Sequence, residues 1–248
     1  MDVTCMPLSR PAVKQQARDL IADKRRTVLI TSLIFLVLMA FLGALSYQII
    51  GYTPKELERY ANYFYAGDLE RAVNYLASLE PTTGESLVNT LLNMVTGILS
   101  LGYLIFLVHL VRGEEIVAAN LLDGFGYWWK VILLDLLVGL IVSLWSMLFL
   151  VPGIIASYRY RMARYLLITH PELSITECMA ASKAMTDGHK WELFVLDLSF
   201  LGWELLAVVP IVGWVLSIWI VPYVSTTSVL YYERFGGAEV VVNDDSIF

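Results

Sequence analysis

Six ionisable residues stand inside apolar stretches of this chain: Asp135, Arg159, Arg161, Arg164, Asp197 and Glu204. At membrane depth such a group costs roughly 2.5–3.5 kcal/mol on insertion scales, so these side chains are expected to face other helices and to pair. Two chemistries fit a buried charge network of this kind. It can act as glue, because a paired polar group in lipid specifies which helices meet. Alternatively it can form a polar path for a substrate or a proton. Asp197 and Glu204 are seven apart and share one helix face. If the segments around 154–169 and 191–208 cross antiparallel, a rise of about 1.5 Å per residue puts Arg164 and Asp197 each roughly 8–9 Å from the inner surface. Arg159 and Glu204 then match near the outer side. The expected pairs are Arg164–Asp197 and Arg159–Glu204, with Asp135 near the first.

A second group, Lys183 with His189, Lys190 and Trp191, reads as an interfacial contact for a lipid head group. A lysine there snorkels to the surface, and a tryptophan sits at head-group level. Other chemistry is absent from the sequence. There is no phosphate-binding glycine loop, no HExxH, no metal-spaced His/Cys cluster and no Gly-x-Ser-x-Gly. The three histidines, His109, His170 and His189, lie on different segments. No catalytic residue, cofactor or metal site is therefore expected. Cys5 and Cys178 both fall in segments placed in the cytosol, so no disulfide is expected either.

The elements that must position these residues follow from composition. The chain is 58% hydrophobic and 16% charged, with a mean hydropathy of +0.65, where a soluble domain is about half apolar and a quarter charged. Several apolar runs approach the roughly 20 residues that cross about 30 Å of hydrocarbon. The net charge of -6, with no long basic run, gives no reason to expect nucleic acid. The fold class is all-α: a polytopic transmembrane bundle of about six spans with short amphipathic interfacial helices.

Residues 1–26 form a cytosolic segment in which Val13, Ala17, Leu20 and Ile21 make one face of a short helix, lying on the membrane or on the bundle. The bundle occupies 27–232. Its spans are expected at about 27–50, 87–111, 131–150, 154–169, 191–208 and 211–232, with tight turns at Val151-Pro152-Gly153 and at Val209-Pro210. An outer loop, 51–86, holds two amphipathic helices, opened by the capping box Thr53-Pro54-Lys55-Glu56 and separated by Gly67 and Asp68. Its apolar stripes read as a lid packed on the bundle. Ser174 and Glu177 form a further capping box for a cytosolic helix over 174–188, closed by Gly188 and offering residues 175–187 to a protein partner. Residues 233–248 read as a loose polar tail. Six basic residues precede the first span, which favours both termini in the cytosol.

The second half also carries a resemblance. Tyr160-Arg161-Met162-Ala163-Arg164-Tyr165-Leu166-Leu167, Ser182, Met185, Gly188-His189-Lys190-Trp191 and the block Leu196-Asp197-Leu198-Ser199-Phe200-Leu201-Gly202-Trp203 are similar to a prokaryotic integral membrane family catalogued as domain of unknown function 975. The resemblance implies a multi-span protein of a bacterial plasma membrane and brings no established activity. The reading that follows is a non-enzymatic membrane scaffold or interaction protein, surrounded by lipid. The alternative is a transporter or lipid-handling protein that uses the Asp/Glu/Arg cluster as a polar path.

Overall fold

A long apolar segment in hydrocarbon must bond every backbone N–H and C=O within itself, which leaves the helix as its stable form. The computed structural model describes residues 10–50, 54–207 and 212–236, and these are all-helical, without strands. Among the described residues four helical stretches are long and apolar enough to cross a membrane: Arg25–Ile49, Thr83–Arg112, Ala118–Leu148 and Val215–Phe235. The elements in order are α1 (Arg10–Asp23), α2 (Arg25–Ile50), α3 (Pro54–Tyr65), α4 (Leu69–Ser78) and α5 (Thr83–Arg112). A 3-10 stretch, Ala118–Tyr127, leads into α6 (Trp128–Leu148). After it come α7 (Leu150–Arg159), α8 (Ala163–Thr169), α9 (Ile175–Thr186), α10 (Lys190–Leu198), α11 (Leu201–Ala207) and α12 (Val212–Gly236).

The fourth and fifth expected spans are interrupted within the described residues, where four continuous helices have spanning length. Ten residues of α7 rise about 15 Å, half the hydrocarbon thickness. The turn expected at Val151-Pro152-Gly153 lies instead at Phe149, the one extended residue between α6 and α7 (φ -157°, ψ 145°). Pro152 then sits in the first turn of α7, where its missing N–H costs nothing. Gly153 lets α7 fold back onto α6, because a Cβ there would stand 2.0 Å from the Ser146 hydroxyl. The turn expected at Val209-Pro210 lies outside the described residues, as does Thr53 of the first capping box.

The chain forms two compact units. The smaller, Leu36–Thr96, contains α3 and α4. Gly67 takes φ +76° between them, and the Asp68 carboxylate caps α4 by accepting the Arg71 N–H at 3.0 Å. Leu57, Phe64, Leu69, Val73 and Leu76 of the two stripes are exposed. An apolar face left open on a short amphipathic helix suits a membrane surface.

In the larger unit the buried and the exposed apolar residues separate along the helices. Leu101, Phe106 and Leu110 of α5, Val131 and Leu134 of α6, Leu166 and Leu167 of α8, and Val229 to Tyr231 of α12 make one core. Further along α6, Leu136, Leu140, Leu144 and then Met147 to Val151 are exposed, as are Val215 and Trp219 early in α12. Val13, Ala17 and Ile21 of α1 are fully buried, so this stripe packs on the bundle, against α12. The 3-10 stretch approaches α5 backbone to backbone: a Cβ on Gly102 would meet the Leu121 carbonyl at 2.0 Å, and one on Gly124 the Ile98 carbonyl at 2.2 Å. Small residues are what permit such approaches between apolar helices. The α12 helix continues four residues past the expected end of its span, and Arg234 donates to Gln16 of α1 at 2.8 Å.

Candidate functional site: ion pairs at two helix breaks

A break in a helix frees backbone groups that must find partners in an apolar interior. At the α7–α8 break the buried Ser182 hydroxyl of α9 donates to the Arg159 carbonyl at 2.9 Å, and its oxygen accepts the Met162 N–H at 3.2 Å. The buried Thr186 hydroxyl also reaches the Arg159 carbonyl, at 3.3 Å. One helix thus closes the gap in another. At the α10–α11 break the Lys14 ammonium of α1 donates to the Ser199 carbonyl at 3.4 Å and lies 3.9 Å over the ring of Phe200.

The ion pairs stand at these breaks. Asp197, two residues before the second break, accepts from the Arg161 guanidinium and, at 2.7 Å, from the Tyr158 hydroxyl. Arg161 sits in the first break itself, and its Nε donates to the Tyr232 hydroxyl of α12 at 3.3 Å. Arg164, at the start of α8, grips Asp135 of α6 with two parallel bonds, Nε to Oδ1 and Nη2 to Oδ2, both 2.8 Å. Such a fork is the stronger form of arginine–carboxylate contact. Gly97 makes room for it, since a Cβ there would lie 3.1 Å from Asp135 Oδ2.

The pairing differs from the one expected. Arg164 takes Asp135, and Asp197 takes Arg161. The expectation assumed one continuous helix over 154–169, whereas the turn at Tyr160–Met162 resets its phase and directs Arg161 and Arg164 to different partners. The Nε of Arg159 is buried with no hydrogen-bond partner, and the Glu204 side chain lies outside the described residues. Among the described residues the six candidates therefore contribute two separate pairs.

A cavity of about 400 Å³ opens between α6 and α7–α8. Asp135, Arg161 and Arg164 line it, and Val138, Gly139 and Val142 of α6 extend it along the part of α6 whose other side carries the exposed leucines.

Residues 147–239 match the model of a family described as a protein of unknown function, DUF975. No curated protein and no solved structure matches the chain. The DUF975 segment holds both breaks, Ser182, and the Arg161–Asp197 pair, while Asp135 lies before it.

Within the DUF975 segment, Lys183, His189, Lys190 and Trp191 each have their own surroundings. Lys183 is exposed on α9. Lys190 pairs with Asp187 at 2.7 Å and holds its carboxyl below the ordinary carboxylate range. The His189 ring contacts Glu192 at 3.3 Å and lies 4.7 Å from Phe235, and the exposed Trp191 stacks on Phe194 at 5.3 Å. The capping box forms as expected: Glu177 accepts the Ser174 N–H at 2.7 Å, and Gly188 closes the segment at φ +77°. Sequence reasoning gave no role to Ser182, Tyr158 or Tyr232, and it missed a further pair, Arg112 with Glu233 at 2.7 Å. The available signal was that Arg112 and Glu233 end two apolar runs with opposite charges.

Proposed function

We propose that this chain is a non-enzymatic, multi-pass integral membrane protein, a scaffold whose interrupted helices are held in place by paired charges. The observation that carries this reading is that each pair joins different elements. Arg164–Asp135 ties α8 to α6, and Arg161–Asp197 ties the first break to α10. Paired groups of this kind fix which helices meet. Exposed Lys183 and its neighbours on α9 offer a surface to a protein partner. Asp197→Asn tests the scaffold: it should lower the unfolding temperature of the purified protein, and a variant as stable as the parent would sink the reading.

The proposal includes six crossings of a plasma membrane, with both termini cytosolic. The broken pairs α7–α8 and α10–α11 supply the fourth and fifth. Residues 150–169 would extend about 30 Å if their helices were aligned, which is enough to cross. The side on which α9 lies decides this. Six crossings leave α9 in the cytosol, whereas two re-entrant segments put it outside. In a Cys5→Ser chain, Lys183→Cys should react with a membrane-impermeant maleimide only after permeabilisation. Labelling of intact cells would overturn the six crossings.

A second reading, a transporter or lipid-handling protein, is favoured by one observation. The cavity reaches Asp135, Arg161 and Arg164 instead of leaving the charges sealed.

A further inference from the structure

We propose that the cavity between α6 and α7–α8 holds one phospholipid. Its phosphodiester lies at Arg161 and Arg164, and an acyl chain follows Val138, Gly139 and Val142. This rests on the second reading, narrowed to occupancy, since a lipid can be held without being moved.

Three features of the cavity meet in such a ligand. The first is unused donors. A guanidinium carries five N–H groups. Arg164 gives two of them to Asp135, while Arg161 gives one to Asp197 and one to Tyr232. Donors therefore remain on both arginines, in a fork geometry that suits phosphate oxygens. The second is charge. Both guanidiniums line the cavity, while Asp197, the carboxylate that pairs with Arg161, lies outside the lining, so the face turned to the cavity is the cationic one. The third is position. Asp135 follows Val131 and Leu134, which belong to the buried core, and precedes Leu136, Leu140 and Leu144, which are exposed. On the opposite side of α6 from those leucines, Val138, Gly139 and Val142 continue the cavity wall beyond Asp135, and Val142 lies about 10 Å further along the helix at 1.5 Å per residue. A head group at one end and a chain along the other reproduces this gradient. Free phosphate would satisfy the arginines and leave the apolar end unfilled.

Gly139 allows a test that leaves both ion pairs intact. No atom lies within 4 Å of where its Cβ would be, so Gly139→Leu fills the cavity from a position open to a side chain. The full chain in mild detergent is titrated with phosphatidylglycerol and read by native mass spectrometry. The parent should retain one lipid per chain, and Gly139→Leu should bind it at least tenfold more weakly with an unchanged unfolding temperature. Arg164→Gln should weaken it as well. Equal retention by the parent and Gly139→Leu would overturn the proposal, as would equal binding of diacylglycerol, which lacks the phosphate. Displacement of the lipid by millimolar glycerol 3-phosphate would overturn the lipid assignment in favour of a soluble phosphate ester. A lipid-transfer assay between vesicles separates the two claims: retention without transfer keeps this inference and removes the transport reading.

Discussion

Replacing Asp135 with Leu preserves the branching of the side chain and removes the charge, so its effect reads the Arg164 pair with little change of shape. The size follows from burial. Exposed ion pairs contribute about 0–1 kcal/mol, whereas removing one partner of a buried pair costs about 3–5 kcal/mol, because the other charge is left uncompensated. Side-chain exposures of 43% for Arg164 and 31% for Asp135 put this pair between those limits. A loss of about 2 kcal/mol is expected for Asp135→Leu. At roughly 2–4 °C per kcal/mol for a chain of this size, that is about 4–8 °C in unfolding temperature. Arg164→Leu, which leaves the carboxylate alone, should cost a similar amount. The double variant should recover most of the loss, since two apolar side chains also remove both desolvation costs. Tryptophan fluorescence during heating in mild detergent, run on all four proteins, gives the coupling. Additive losses in the double variant would refute the reasoning, because the two residues would then act through other partners.

Four further outcomes are expected. Gly102→Leu should abolish monodisperse protein in gel filtration, because its Cβ meets the Leu121 carbonyl at 2.0 Å, while Gly43→Leu, with nothing within 4 Å, should be tolerated. Ser182→Ala removes the hydroxyl that serves both sides of the α7–α8 break and should cost about 1–3 kcal/mol in thermal unfolding. Cys178 is fully buried, and burial pushes its thiol pKa up, so in a Cys5→Ser chain it should resist maleimide at neutral pH until the protein is denatured. Glu177 is held below the ordinary carboxylate value by the Ser174 hydroxyl and N–H. Its contribution to α9 is therefore present above about pH 4.3, the unfolded value, and is lost as pH falls through the lower folded value. Faster amide exchange in α9 under acid, abolished as a pH effect in Glu177→Gln, checks the sign.

The continuous apolar helices were legible because their signal is long and local. The runs that became α2, α5, α6 and α12 needed only hydropathy and length, and the caps at Asp68, Ser174 and Gly188 needed only neighbours within four residues. The interruptions were not legible for the opposite reason. Tyr160-Arg161-Met162 and Ser199-Phe200 contain neither glycine nor proline, so nothing local announces a break. What permits each break is distant: Ser182 supplies partners about twenty residues away, and Lys14 reaches Ser199 from the other end of the chain. The charged residues were found by type, yet their pairing was misread, since pairing depends on helix phase and phase is reset at each break.

The breaks also explain why the charges gather at one level. In a continuous helix, Arg161 and Arg164 would lie on one face and turn to one neighbour. With the turn between α7 and α8, Arg161 meets α10 while Arg164 meets α6. One short segment therefore fastens two helices. The cost of breaking the backbone is offset by hydroxyls from α9, so α9 acts as the splint that keeps both guanidiniums in register. If that is so, Ser182→Ala should disturb more than local stability. It should also weaken the coupling between Asp135 and Arg164 measured in the double-variant cycle, because a relaxed break lets α8 rotate. An unchanged coupling in the Ser182→Ala background would mean that α8 is positioned by its buried leucines, Leu166 and Leu167, and not by the closed break.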